Sequence, residues 1–333
     1  MKDFSGKIAF ITGGASGAGF GQAQIFSEAG MKVVIADVRD DLLDEAITYF
    51  KEKKADVHAV KLDVTDREGY AKAADEVERI YGAPPDLLIM TAGVNVFGPA
   101  EASTFEDFDW VMGVCFWGVV NGLITFVPRM IKAAKGGHIA ATISWGAFGA
   151  DATTAPYRAA KAGALNVMES YYLALKPYGF GATALCPSNI NSEIWATELR
   201  RPEKYKNTGY NTTPEVIELM KEHVSMGIDP VELAVRFKKA IEDGVVYCIP
   251  YPDAVGLVTN ALDRKRNYLT PGGMAKERGY DAYMAELTAE HKKKGLGPPV
   301  GDAVALFNKG DEVGFAKARP DIDWVADSRK LKK

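Results

Sequence analysis

Three cysteines and four histidines in 333 residues leave little material for a disulfide framework or a metal centre. Cys115, Cys186 and Cys248 each sit among apolar residues and read as buried free thiols, which fits a reducing compartment. His58, His138, His223 and His291 show no ligand spacing such as His-x-x-x-His, so no metal is expected. No Gly-x-Ser-x-Gly elbow occurs, which disfavours a serine hydrolase of that kind. The net charge is only −4 and no basic block suggests nucleic acid or an anionic membrane. No apolar run reads as long enough to span a bilayer. Met1 to Lys7 lead straight into a strand, without the apolar h-region of a signal peptide. These absences point to a cytoplasmic chain with a small-molecule substrate and no nucleic-acid or membrane partner.

What is present is an alternation of strands and helices in a composition ordinary for a globular chain, 47% hydrophobic and 25% charged. Lys7 to Thr12 is a short apolar strand. A glycine-rich turn follows, Gly13-Gly14-Ala15-Ser16-Gly17-Ala18-Gly19, and then a helical pattern to Ala29. Strand, glycine turn and helix together make a phosphate-binding start. Glycines let the backbone approach a pyrophosphate, and the helix N-terminus offers amide donors and positive partial charge. A second strand ends in Asp37. A carboxylate there accepts from ribose hydroxyls and repels a 2′-phosphate, favouring NAD over NADP, although Arg39 two residues on is able to meet a phosphate. The other reading of Asp37 is a surface cap of the next helix.

Further strands end in Asp63-Val64 and in Thr91-Ala92-Gly93. The alternation predicts a doubly wound parallel sheet of seven strands with helices on both faces, an α/β fold of Rossmann type. Thr104 to Lys135 reads as a long apolar helical stretch broken by Gly113, Gly118 and Pro128. A strand beginning at His138 leads to Ser144, and a helix follows that carries Tyr157 and Lys161. Their four-residue spacing puts both side chains on one helix face. A fixed ammonium near a phenol favours the phenolate and predicts a lowered pKa, so the pair suits acid/base work on a hydroxyl or carbonyl. Alone the spacing is weak, since a surface tyrosine beside a solvated lysine gives it too. A strand ending at Cys186 precedes Pro187-Ser188-Asn189-Ile190-Asn191-Ser192.

Residues 188–228 lack clean periodicity and read as a mobile lobe covering a substrate. Residues 1–252 form the dinucleotide-binding and catalytic domain. From 253 to 333 the composition turns charged, predicting an extension packed on the same domain or a neighbouring subunit, or else a loose tail. Phe97, Trp145, Phe148 and Trp195 come from segments expected to border the cleft, and ordinary core packing is the alternative for each.

Thr12-Gly13-x-x-x-Gly17-x-Gly19, Asp63, Ala92-Gly93, Ser144, Tyr157-x-x-x-Lys161 and Pro187 resemble, in order and spacing, the short-chain dehydrogenase/reductase family over roughly residues 5 to 250. More narrowly, Thr12 to Ala23, Thr91 to Asn95, Phe97-Gly98-Pro99, Phe126 to Met130 and Ile249 to Pro252 look like the Cα-dehydrogenases of β-aryl ether lignin dimers. Those enzymes oxidise a benzylic secondary alcohol with NAD. The resemblance implies Tyr157 as acid/base, Lys161 as its support and as a holder of the nicotinamide ribose, and Ser144 on the substrate oxygen. It also implies Pro187, Ile190 and Ser192 at the nicotinamide end, and a homodimer or homotetramer. Two other functions stay open, a reductase of another bulky ketone of steroid or polyketide type, and a dinucleotide-binding sensor. Three positions depart from the family pattern: Thr91 for asparagine, Ser188 for glycine, and Cys115 for the catalytic asparagine of the long helix. A thiol is a weak hydrogen-bonding group, so a less efficient proton relay from Lys161 is expected.

Overall fold

A computed structural model of the chain describes residues 1–210, 213–267 and 280–295. Seven strands make one parallel sheet: β1 (Ile8–Thr12), β2 (Lys32–Asp37), β3 (Val57–Lys61), β4 (Leu87–Met90), β5 (Gly137–Thr142), β6 (Phe180–Leu185) and β7 (Tyr247–Cys248). Their order is β3-β2-β1-β4-β5-β6-β7. Every residue of β1 and β4 is buried, as expected of central strands covered on both faces. The winding reverses between β1 and β4, which opens a crevice at the carboxyl ends of the strands.

Helices α1 (Gly17–Glu28), α2 (Asp40–Glu52) and α3 (Arg67–Tyr81) alternate with the first strands. Helix α8 (Pro230–Asp243) packs on α1 through Phe237 and Phe26, whose rings meet edge-to-face at 6.3 Å. Gly21 permits that approach: a Cβ there would lie 2.4 Å from the Pro230 carbonyl oxygen.

The stretch expected to break at Gly113, Gly118 and Pro128 does not break. Helix α4 (Phe105–Met112) runs through a π-helical turn at Gly113–Trp117 into α5 (Gly118–Lys132), with Pro128 inside it. The glycines are contact points: a Cβ on Gly118 would lie 2.9 Å from Val64 and one on Gly122 2.9 Å from the Met90 sulfur. Tight packing there offsets the roughly 1 kcal/mol that glycine costs a helix interior. Contrary to the reading of an interrupted run, Phe105–Lys132 is long and apolar enough to cross a membrane. Its most apolar window is 56% buried within the fold, however, and that packing accounts for its composition.

Helix α6 (Ala155–Leu175) follows β5. The aperiodic lobe holds short 3-10 turns and a helix, α7 (Pro214–Ser225), that the sequence did not announce. The lobe is anchored. Its ends join through an isolated bridge between Ile190 and Ile228, and its middle is tied by a buried ion pair, Arg201 to Asp107 at 2.8 Å.

Helix α9 (Pro252–Asn267) begins at residue 252, where the domain boundary is expected, and α10 spans Tyr280–Lys293. The chain divides into two units, one of Met1–Tyr172 with Tyr178–Leu262, the other of Leu173–Pro177 with the part from Asp263 onward. The site belongs wholly to the first. Most of the expected C-terminal extension, residues 268–279 and 296–333, lies outside the described residues.

Candidate active site

A cavity of about 1030 Å³ opens at the carboxyl ends of the strands. Its lining includes Gly13, Ser16, Gly17, Ala18 and Gly19 from the β1–α1 turn, Asp37 from β2, Asp63 and Val64 after β3, and Ala92 and Gly93 after β4. Ser144, Tyr157 and Lys161 line the same space, as do Pro187, Ile190 and Ser192. Residues spread over 180 positions of sequence thus meet in one cleft.

The glycine turn is shaped by close approaches. A Cβ on Gly13, at φ +65°, would lie 2.8 Å from the Ala92 backbone, and one on Gly19 only 2.0 Å from the Gly13 carbonyl oxygen. No side chain fits there, and backbone amides face the cavity at the start of α1. Across the sheet, Thr12 Oγ1 accepts from the Thr91 and Ala92 amides at 3.1 and 3.3 Å. Thr91 Oγ1 donates to Gln22 of α1 at 2.7 Å and lies 2.7 Å from Thr142 Oγ1 at the end of β5, so the threonine in place of asparagine still bonds toward the neighbouring strand.

Lys161 is buried, and its Nζ donates to the Thr142 carbonyl at 2.7 Å. Nζ lies 5.6 Å from the centre of the Tyr157 ring. The Ser144 hydroxyl accepts from the Gly146 amide at 3.0 Å, and its nearness to the Tyr157 phenol favours the phenolate. The expected lowering of the tyrosine pKa is nevertheless not what the protein alone provides. Burial raises the Tyr157 pKa, and the Ser144 hydroxyl and the Arg158 charge only partly oppose this. Burial likewise lowers the Lys161 pKa. Desolvation penalises both charged forms, and here it outweighs their proximity.

Asp37 is also pushed upward by burial, against amide bonds donated by Arg39 at 3.2 Å and Ala15 at 3.4 Å. Asp63 accepts from the Thr65 amide at 2.9 Å. Asn121, whose side chain the helical wheel turns away from Lys161, donates to the Val64 carbonyl at 3.0 Å and so braces this edge of the cleft. Cys115 is buried; its thiol donates to the Val94 carbonyl at 3.2 Å and accepts from the Val94 amide at 3.4 Å.

Of the four aromatic residues expected at the substrate end, Phe97 and Trp145 line the cavity. Phe148 and Trp195 are not among its lining residues. Phe148 packs edge-to-face on Tyr247, and Trp195 lies under the Lys221 ammonium. Trp110 and Tyr205 line the wall in their stead, stacked at 6.4 Å. The Arg201 guanidinium covers Trp110 at 4.9 Å. Neither could be read from the sequence, because the buried Arg201–Asp107 pair that joins their segments spans 94 residues. Trp145 is backed by the Arg158 guanidinium at 4.5 Å, which Asp151 holds from Nε at 2.6 Å. Burial alone would raise the Asp151 pKa; bonds from Thr153, Thr154 and Arg158 outweigh it and keep the carboxylate ionised.

The short chain dehydrogenase family matches residues 7–203. The chain belongs to that family. It is 48% identical over 253 residues to the C alpha-dehydrogenase of Sphingobium sp. strain SYK-6, covering 76% of this chain and 83% of that protein. The crystal structure of the LigD apo form from the same strain superposes with a TM-score of 0.68 at 41% identity, covering 81% of this chain and all of that one. A short-chain dehydrogenase from Burkholderia phymatum, solved in complex with NAD, gives a TM-score of 0.75 at 28% identity over 82% of this chain and all of that one. The protein is therefore an oxidoreductase of a family that uses a nicotinamide dinucleotide. The cleft fits such a group: the glycine cradle that any Cβ would fill opens into the cavity that Tyr157 and Lys161 line.

Proposed function

We propose that this short-chain dehydrogenase interconverts a bulky, aromatic secondary alcohol and its ketone with NAD, the benzylic alcohols of β-aryl ether lignin dimers being the favoured class. The observation that carries the reading is a cavity that joins the glycine cradle, the Ser144–Tyr157–Lys161 set and an aromatic wall of Phe97, Trp110, Trp145 and Tyr205. The 48% identity to a C alpha-dehydrogenase supports the benzylic class.

When bound, the dinucleotide supplies the hydride acceptor or donor. Gly13, Ser16, Gly17, Ala18, Gly19, Asp37, Asp63, Val64, Ala92, Gly93, Pro187, Ile190 and Ser192 would hold it. Ser144 Oγ orients the substrate oxygen. In the oxidising direction Tyr157 Oη takes the hydroxyl proton, and in the reducing direction it returns one. Lys161, fixed by Thr142, stands as the cation beside the phenolate. The aromatic wall and the anchored lobe exclude water from the reacting carbon. The three buried free cysteines fit a cytoplasmic setting. Phe105, Trp117 and Ile124, apolar and outward-facing, fit a homo-oligomer interface.

The test is reduced-nicotinamide absorbance on a panel of β-aryl ether dimers, simple benzylic alcohols, steroids and sugars, with NAD and with NADP. Turnover of the aryl ethers with NAD is expected, falling about 10²- to 10⁴-fold or more in Tyr157→Phe. Turnover confined to steroids or sugars would discard the substrate class. Dinucleotide binding without turnover on any alcohol or ketone would discard the enzyme in favour of a sensor.

A further inference from the structure

Arg39, whose backbone amide donates to Asp37 at 3.2 Å, lines the ribose end of the cleft on the dinucleotide reading above, and its guanidinium is already engaged. Nε donates to Asp41 at 3.1 Å, and Nη2 pairs with the other oxygen of the same carboxylate. Nη1 reaches Glu193 Oε2 at 3.2 Å. Three of its five donors therefore point at carboxylate oxygens. Glu193 comes from the far-off lobe, and the same oxygen also takes Arg200. Ser192, its neighbour, approaches the glycine turn so closely that a Cβ on Gly17 would lie 3.0 Å from it. Asp37, Arg39, Glu193 and Arg200 all line the cavity. With Asp41, three carboxylates here face two guanidinium groups.

We propose that Asp41 and Glu193 are specificity-determining residues: holding Arg39 from two sides, they withhold its guanidinium from a ribose 2′-phosphate and make the site select NAD over NADP. The inference rests on the dinucleotide reading of the cleft. A 2′-phosphate brings about two negative charges and needs a fork of donors to meet it. Here that fork is closed on Asp41, and the surrounding charge is negative. The pairs are partly exposed, with side-chain exposures of 28% for Arg39, 61% for Asp41 and 50% for Glu193. Each is thus individually weak. What the two carboxylates decide together is the sign of the local field. Converting both to amides leaves one carboxylate against two guanidinium groups.

The experiment measures NADH and NADPH binding by nicotinamide fluorescence in the parent, in Asp41→Asn/Glu193→Gln, and in that pair combined with Arg39→Met. The ratio of the two affinities is the readout, because a lobe loosened by Glu193→Gln weakens both ligands alike. The double variant is expected to shift the ratio toward NADPH about tenfold, the worth of one charge-assisted hydrogen bond. Arg39→Met is expected to cancel the shift, and high salt to shrink it. Asp41→Asn alone, which leaves the lobe untouched, should move the ratio in the same direction. NADH bound with an unmoved ratio, or a shift that survives Arg39→Met, overturns the inference alone. A parent that binds no NADH overturns the dinucleotide reading and the inference with it.

Discussion

Replacing Asp107 by asparagine removes one charge from a place where it is fully enclosed. The Asp107 side chain is 0% exposed and Arg201 is 4% exposed, and Nη1 and Oδ1 stand 2.8 Å apart. At an effective dielectric constant of about 20, Coulomb attraction at that distance is roughly 6 kcal/mol before desolvation. Removing one partner of a buried pair costs about 3–5 kcal/mol, because the other charge stays behind without compensation. Arg201 keeps Glu198 at 2.6 Å, so the low end, about 3 kcal/mol, applies. Asparagine retains an oxygen for the capping box, in which Asp107 Oδ2 accepts from the Thr104 amide at 2.9 Å. The substitution thus isolates the ion pair from the cap.

The cost should appear locally. Arg201 sits in the lobe, lies over Trp110 and donates to the Tyr205 carbonyl at 3.0 Å. Amide hydrogen exchange over residues 198–210 should therefore quicken about a hundredfold, while β1 and β4 stay protected. Trp110 and Tyr205 line the cavity, so the KM for a bulky aromatic alcohol should rise severalfold. In an Arg201→Met background, Asp107→Asn should add little, because its partner is already gone. Exchange in 198–210 quickening less than about threefold, or equal loosening of the central strands, would refute the claim that this pair bolts the substrate wall in place.

His138 lies in β5 at 0% exposure, and its Nε2 meets the Thr183 hydroxyl at 3.0 Å. That hydroxyl gives its proton to the Val245 carbonyl, so Nε2 carries the hydrogen and Nδ1, which has no partner among the described residues, must stay bare. Burial accordingly holds the His138 pKa down at about 3. The unfolded chain takes up this proton near pH 6.5. The stabilisation is therefore complete above pH 6.5 and is lost as pH falls toward 3. Between pH 7 and 4.5 this residue should remove about 2.5 kcal/mol. His138→Phe should lack that part of the loss in urea midpoints, and equal pH slopes in parent and variant would refute it. For Cys115→Asn, the restored amide should raise turnover severalfold by holding water near Lys161. No gain would mean that the relay never needed an amide there.

The sheet was legible because its strands are short apolar runs closed by turn residues, and period and punctuation survive in sequence. The cleft was legible for a related reason: Gly13 and Gly93 follow strand ends, Asp37 closes β2, and the winding brings strand ends together. Gly118 misled, because a propensity penalty of about 1 kcal/mol for glycine is small beside tertiary packing against Val64. Aromatic residues were the hardest to assign. Phe148 and Trp110 look alike in sequence, and which of them faces the cavity depends on an ion pair between positions 107 and 201. Local pattern cannot encode that.

The charges of the site carry the same lesson further. Spacing alone puts Lys161 beside Tyr157 and suggests an acidified phenol, yet depth in the fold sets the sign. With both groups buried, the protein by itself holds Tyr157 protonated and disfavours the Lys161 ammonium. On the proposed function, charge brought into the cavity would oppose that burial, as the Ser144 hydroxyl already does in part. A positively charged nicotinamide would favour the phenolate by the charge logic that Lys161 alone does not satisfy. On the proposed function, this restricts a reactive phenolate to the loaded enzyme, and the resting tyrosine stays neutral.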